Sequence, residues 1–201
     1  MTCKHEHLTF TTLPRLPRQL PDCAILEIDM LQLSQNIVNR PVLSLRTGME
    51  VATAIAPIIN PNNLKIEGFY CIDRFEKKQQ LVLLYQDIRD VMPQGLVIDD
   101  HEVLVEPEEL VRLKDVMELQ FQLIGKPVVT VSKERVGKVN DYATEVETMY
   151  IQKIYVGQSL LKSFTGGNLS IDRTQIVEIT NHRIIINDLL KGVPANAPAT
   201  V

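Results

Sequence analysis

The chain has 201 residues, of which 45% are hydrophobic and 23% are charged, and its net charge is −4. This length allows one large domain or two small ones, and the composition is that of a folded protein. The acidic balance argues against a broad phosphate-binding surface, and no apolar run reaches the roughly 18–20 residues of a membrane span. Isoleucine, valine and threonine together supply 52 residues, a bias that favours β-strands.

The first 29 residues differ from the rest, because three prolines fall between Pro14 and Pro21. Proline favours an extended backbone, so we expect residues 1–29 to be a disordered extension in which residues 24–28 could form a strand. Met30 is a candidate alternative start of translation. The extension lacks the apolar core of a secretory signal, and three scattered cysteines do not form a disulfide framework. We therefore predict a cytoplasmic protein.

The middle of the chain repeats itself in three blocks that occur twice in the same order. The aligned residues, with their offsets in parentheses, are 41–45 with 127–131 (86), 64–71 with 149–156 (85) and 88–100 with 176–188 (88). The third block needs no gap and keeps three residues identical, among them Asp100 and Asp188. Offsets that change so little over this distance indicate two copies of one structural unit.

Each copy consists of short β-branched runs separated by turn residues. The turns recur about every 8–12 residues, which is typical of a β-sandwich or a small barrel. In the first copy, Leu64, Ile66 and Phe69 are expected to face the core, with a bulge near Gly68. Between the copies, residues 107–117 begin with proline and carry apolar residues at helical spacing, which predicts a short helix.

This pattern resembles the PRC-barrel family, which includes the cytoplasmic domain of the photosynthetic reaction-centre H subunit and the C-terminal domain of the ribosome small-subunit maturation factor. The shared features in the second copy are a turn with a Pro-Val strand, a glycine return, a hydrophobic–acidic strand and an apolar strand ending in Asp. They occupy residues 125–131, 136–139, 176–179 and 184–188. The first copy departs from the pattern where Ala52 replaces the glycine found at position 137.

The resemblance implies an all-β fold of two small PRC-type barrels in tandem, joined by a short helical connector. On this interpretation the first domain spans residues 30–113 and the second spans residues 114–190. Residues 191–201 are predicted to be a disordered tail. Members of the family are generally binding or assembly modules, so the resemblance speaks more strongly to fold than to function.

Residues suited to catalysis or metal binding are few. Two of the four histidines belong to the N-terminal extension, where Cys3, His5 and His7 have an alternating spacing unlike that of zinc fingers. His101 follows a predicted strand and His182 lies in a predicted turn, and neither belongs to a recognisable nucleophile motif. We therefore predict no enzymatic activity, no bound metal and no cofactor.

Charge patterning supplies the remaining candidate site. Seven acidic residues and no Lys or Arg occur between positions 90 and 111. An acidic edge can steer a basic partner, although a solvated strand end or helix start carries the same residues. The candidate partner-binding residues are Asp90, Asp99, Asp100, Glu102 and Glu106.

These observations predict a non-enzymatic adaptor that binds a protein partner. A ribosomal or assembly protein is the most concrete partner that the resemblance implies. We predict neither direct nucleic-acid binding nor membrane insertion. Two alternatives stay open, namely a membrane-proximal scaffold similar to the reaction-centre subunit and a sensor of a small ligand or a metal.

Overall fold

The computed structural model describes residues 31–77, 79–158 and 168–188. Within these residues the chain is mostly β, with a single short α-helix. The elements are β1 (Leu31–Leu33), β2 (Arg40–Ser44), β3 (Glu50–Asn60), β4 (Lys65–Asp73), β5 (Gln80–Leu84), β6 (Ile88–Met92), β7 (Gly95–Ile98), α1 (Lys114–Glu118), β8 (Pro127–Thr130), β9 (Arg135–Glu145), β10 (Ile151–Gln158), β11 (Asn168–Asp172), β12 (Ile176–Ile179) and β13 (Ile184–Ile186).

The strands form two sheets with the same internal order. One sheet runs β5-β4-β3-β2-β7-β6, and the other runs β11-β10-β9-β8-β13-β12 with β1 added beside β9. Each sheet contains one parallel pair, β2 with β7 and β8 with β13. We call the strands β2–β7 repeat 1 and the strands β8–β13 repeat 2. The all-β prediction is confirmed; the sheets are curled, one of them into a half-barrel, and two tandem barrels are not established.

The register of the two sheets follows the offsets found in the sequence. Val42 of β2 lies opposite Leu96 of β7, and Val128 of β8 lies opposite Ile184 of β13. Val42 and Val128 are 86 residues apart, and Leu96 and Ile184 are 88 apart, as in the sequence alignment. Equivalent residues of the two copies therefore occupy equivalent places in the ladder.

Unusual backbone conformations also recur at equivalent positions. Leu64 and Met149, which are 85 residues apart, are both buried and have φ angles of 53° and 58°. Asn39 and Gly125, which are 86 residues apart, have φ angles of 57° and 85°. Positive φ is uncommon outside glycine, so its recurrence at both pairs marks the same local turn in each repeat.

A continuous hydrophobic core connects the two repeats. Leu64, Ile66 and Phe69 are buried as predicted, and the register of β3 against β4 shifts beside Gly68, which confirms the bulge. Ile154 occupies in repeat 2 the position of Phe69 and is equally buried. Fully burying one such side chain stabilises the fold by about 1.5–3 kcal/mol.

The repeats meet in a local two-fold arrangement at the starts of β4 and β10. The amide of Ile66 donates to the carbonyl of Met149, and the amide of Ile151 donates to the carbonyl of Leu64, both at 2.8 Å. The two bonds become equivalent under the offset of 85 residues. Ile66 of repeat 1 thus contacts Met149 of repeat 2, and their equivalents Ile151 and Leu64 make the same contact in reverse. Reciprocal contacts of this kind are isologous, as in symmetric dimers.

A cation–π pair beside this junction is kept in both repeats with its partners exchanged. The Lys65 ammonium lies 3.6 Å from the ring centre of Tyr85, and the Arg173 guanidinium lies 4.4 Å from that of Tyr150. Lys65 is equivalent to Tyr150, and Tyr85 is equivalent to Arg173. Each repeat therefore places one cation over one ring here, a contact worth about 0.5–1 kcal/mol at an exposed site.

The segments that precede the repeats are exchanged between them. β1 precedes repeat 1 but pairs with β9 of repeat 2, from Leu31 opposite Glu145 to Leu33 opposite Ala143. The helix α1 precedes repeat 2 and contacts β3 of repeat 1. Because of this exchange, β1 and α1 each contact the other repeat, and both lie at the boundary between the repeats.

The connector predicted as one helix is shorter and interrupted. Pro107–Glu109 and Val111–Leu113 form single 3-10 turns, and only Lys114–Glu118 is α-helical. Leu110 between the two turns has a ψ of 62°, outside the helical range, and is half-buried beside Tyr85. The non-helical backbone of Leu110 interrupts the helix that the apolar spacing favours.

Several predictions concern residues beyond the described part of the chain. The disordered segments predicted at residues 1–29 and 191–201 lie outside it, as do Cys3, His5 and His7. Among the residues that the structure describes, no helix is long and apolar enough to cross a membrane.

Candidate binding groove between the two repeats

A groove with a volume of about 620 Å³ lies at the boundary between the repeats. This volume falls in the range of ligand sites in proteins, which is about 300–1,000 Å³. Its walls come from the segments before β2 and β8, from the middle of β3 and from one residue of β9. Its principal apolar lining residues are Val38, Ile55, Pro57, Ile59, Leu123 and Ile124.

β3 forms one wall because β2 leaves its middle uncovered. The pairing of β2 with β3 begins at Arg40 opposite Ala54 and continues toward the turn, so residues 55–59 have β4 on one side only. Pro57 suits such an edge, since proline within a sheet is confined to edges and bulges. In repeat 2, by contrast, β1 covers part of the equivalent stretch of β9.

Arg40 provides the positive charge of the groove. Its Nε is buried and has no hydrogen-bond partner among the described residues. Among the described residues Arg40 also forms no ion pair, so its guanidinium charge is not neutralised there. The planar guanidinium matches carboxylates in particular, because two parallel N–H groups can bind both oxygens.

The equivalent of Arg40 in repeat 2 is Lys126, which is satisfied internally. Its ammonium donates to the carbonyl of Asn181 at 2.6 Å and lies 4.4 Å from the ring centre of Phe121. Loss of solvent around this side chain lowers the pKa of Lys126. In repeat 2, Lys126 therefore binds the turn between β12 and β13. In repeat 1, Arg40 instead lines the groove.

Asp141 of β9 precedes the lining residue Tyr142, and one of its carboxylate oxygens is hydrogen-bonded. Asp141 accepts hydrogen bonds from the Ser34 hydroxyl at 2.5 Å and from the backbone amides of Ser34 and Tyr142 at 3.3 and 2.8 Å. Burial, followed by the charge of Asp141, raises the pKa of Tyr142, so its phenol is uncharged at neutral pH. Among the described residues that line the groove, Arg40 alone carries a charge.

Two members of the predicted acidic edge are engaged in ion pairs. Asp99 accepts two hydrogen bonds from Arg89 at 2.9 and 2.5 Å, and these bonds lower the pKa of its carboxyl. Asp100 accepts from the amide of His101 and from Arg46, both at 2.8 Å, and these two bonds lower its pKa in that order. The counterions come from just before the acidic stretch and from the distant β2–β3 turn.

The other three acids are spread over separate segments. Asp90 lies on the edge strand β6 and accepts from the amide of Val91 at 2.8 Å. Glu106 accepts from the side-chain amide of Gln79 at 2.9 Å, and Glu102 is exposed. The structure thus brings Asp99 and Asp100 together but not all five residues, and their role in partner binding stays a prediction.

A buried carboxylate and His101 meet at the end of repeat 1 where three turns converge. The Asp73 side chain is 3% exposed, lies 3.2 Å from Nε2 of His101 and accepts from the amide of Phe75 at 3.1 Å. Burial raises the pKa of Asp73, but these hydrogen bonds outweigh it and keep the pKa below its ordinary value. The contact between Asp73 and His101 joins the segment after β7 to the end of β4.

Neither a metal site nor an activated thiol is present in the described ranges. No group of three or more His, Cys, Asp or Glu side chains there could hold a metal ion. Cys71 is fully buried, and burial raises its pKa to about 12. A thiol in this environment is inert and packs as a small apolar group.

Sequence reasoning missed the groove because its residues come from four separate segments. The available signal was the pair Arg40 and Lys126, which the alignment makes equivalent. The offset of 86 residues indicates that both cations adjoin the start of a strand. It does not indicate which of them forms a hydrogen bond. A scan against protein-family models and a search of curated proteins found no match to this chain.

Proposed function

We propose that the chain is a non-enzymatic adaptor that binds a protein partner through the groove between its repeats. The groove itself supports the proposal, because its described lining combines apolar residues with the cation of Arg40, which forms no ion pair in the described ranges. Binding sites in proteins combine such an apolar surface with a few placed polar groups. The resemblance to a family of binding and assembly modules supports the same function.

Each repeat, on this proposal, is a PRC-type barrel unit. The shared strand order, the parallel pair that joins the first and last strand of each repeat, and the sequence pattern support this assignment. A ribosomal or assembly protein in the cytoplasm is the partner that the resemblance implies.

A pull-down with matched surface variants tests the proposal. Ile124 lines the groove and is 50% exposed, whereas Val131 is 54% exposed and lies at the far end of β8. Because both side chains are half exposed, Ile124→Asp and Val131→Asp introduce the same charge without removing a buried group. The three proteins are used as tagged baits in lysate of the source organism, with nuclease, and retained proteins are identified by mass spectrometry.

We expect wild type and Val131→Asp to retain the same partner and Ile124→Asp to lose it. Equal retention by all three baits would show that the groove is not the binding surface. Retention of lipids and envelope proteins would instead support the membrane-proximal scaffold.

A further inference from the structure

We infer that the groove recognises an extended peptide in which apolar residues flank an acidic side chain, and that Arg40 binds its carboxylate. This inference rests on the proposed function and names the chemistry of the partner. The charge of the groove, the comparison of Arg40 with Lys126 and the shape of the groove support it.

Charge complementarity selects an anion. Arg40 is the charged member of the described lining, and the neighbouring Asp141 is held by Ser34 and by a backbone amide of β9. No ion pair of the structure involves Arg40 in the described part of the chain. Among the described lining residues, an acidic side chain entering the groove therefore meets one positive charge and no carboxylate.

The comparison with Lys126 indicates a carboxylate rather than a neutral acceptor. Lys126 is a compact point charge that donates to a single backbone carbonyl. Arginine in the equivalent position offers its N–H donors in a fixed planar fork. A carboxylate supplies two oxygens in the matching geometry.

The shape of the groove fits an extended chain. The wall formed by residues 55–59 of β3 is about 13 Å long at the rise of a strand, which matches four or five residues of an extended peptide. Ile55 and Pro57, both half-buried, offer apolar contacts along this wall, and Ile124 faces it from the segment before β8. Apolar side chains on both sides of one acid would use this lining, and a small free acid would leave most of it empty.

Selection from a random peptide library displayed on phage tests the inference with the full chain as target. Selected peptides are synthesised in two forms, one with the acid and one with the corresponding amide. Their affinities are measured by calorimetry for wild type, Arg40→Gln, Gln122→Glu and Ile124→Asp. Gln122 is exposed in the groove, so Gln122→Glu adds a competing carboxylate without disturbing the core.

We expect selected peptides to share one acid between apolar residues. Arg40→Gln should weaken the acidic form by about tenfold or more and leave the amide form nearly unchanged. Gln122→Glu should also weaken the acidic form selectively, and Ile124→Asp should weaken both forms.

Peptides without an acid that depend on Ile124 but bind Arg40→Gln normally would overturn the inference and leave the proposed function intact. Failure to select any peptide, or binding that Ile124→Asp does not alter, would overturn both. Equal losses of the acidic and amide forms in Arg40→Gln would also contradict the role of Arg40, because a carboxylate-specific contact predicts a difference between them.

Discussion

The two repeats share one backbone plan but complete it differently. In repeat 2, Lys126 binds the carbonyl of Asn181, and β1 lies along β9. In repeat 1, Arg40 has an unpartnered Nε, and the middle of β3 borders the groove. The comparison teaches that duplication allows one copy to satisfy its own polar groups while the other keeps a cation and a strand edge available for binding.

The largest expected effect tests whether the repeats are independent. Phe69→Ala removes a fully buried ring of repeat 1 and should cost about 3–5 kcal/mol of unfolding free energy. Because the core is continuous between the repeats, the loss should destabilise both sheets together. Hydrogen exchange across a denaturant series, read separately for β2–β7 and β8–β13, measures this. A stable repeat 2 beside an unfolded repeat 1 would contradict a shared core, and Ile154→Ala provides the reciprocal test.

A glycine that differs between the repeats gives the next effect. A Cβ at Gly137 would lie 2.0 Å from the carbonyl oxygen of Gly157, whereas the equivalent residue of repeat 1, Ala52, is buried without such a clash. Gly137→Ala should therefore cost about 1–3 kcal/mol or more. Ala52→Gly should cost about 1 kcal/mol through added chain entropy. Equal, small changes in the denaturation midpoint of both variants would show that the two strands have the same surroundings.

Asp73 of repeat 1 should contribute a pH-dependent term to the free energy of unfolding. Repeat 2 should lack this term, because its equivalent residue is Gln158. The lowered pKa means that ionised Asp73 stabilises the fold above its unfolded pKa of about 3.9. This stability is lost as the pH falls through the folded-state pKa. Asp73→Asn should cost about 1–3 kcal/mol near pH 7 and flatten the acid limb of the stability profile. Identical profiles from urea titrations of both proteins would contradict the assignment.

The smallest expected effect is a gain in stability from replacing Thr144. The Thr144 hydroxyl is buried without a partner among the described residues, and the equivalent residue of repeat 1 is the apolar Ile59. Thr144→Val should stabilise the protein by up to about 1 kcal/mol. The matched control is Thr130→Val, because the Thr130 hydroxyl is buried but accepts from the amide of Glu134 at 3.2 Å. The control should lose stability, and a loss in both variants would argue that Thr144 has a partner.

The sequence predicted the β fold and the repeat because both depend on local patterns. β-branched runs, turn residues and constant offsets are visible one segment at a time, and the buried Leu64, Ile66 and Phe69 follow from them. The connector was predicted less well, since the backbone of Leu110 leaves the helical range although the apolar spacing continues through it.

The candidate site depended on contacts between distant segments. The acidic stretch has no basic residue of its own, yet Arg46, just past the end of the neighbouring strand β2, pairs with Asp100. In the same way, the groove combines segments of both repeats, and only the fold shows that Arg40 Nε, unlike the Lys126 ammonium, has no partner among the described residues. Offsets in a sequence identify equivalent positions but not the contacts that each position makes.

Site-specific photo-crosslinking in cells of the source organism tests the central claim most directly. A photoreactive amino acid replaces Gln122, exposed in the groove, or Val177, exposed on β12. A binding groove predicts a discrete crosslinked protein from position 122 that disappears when Ile124→Asp is added, and none from position 177. The contradicting result is a partner captured only from position 177, or a crosslink from position 122 that Ile124→Asp leaves unchanged.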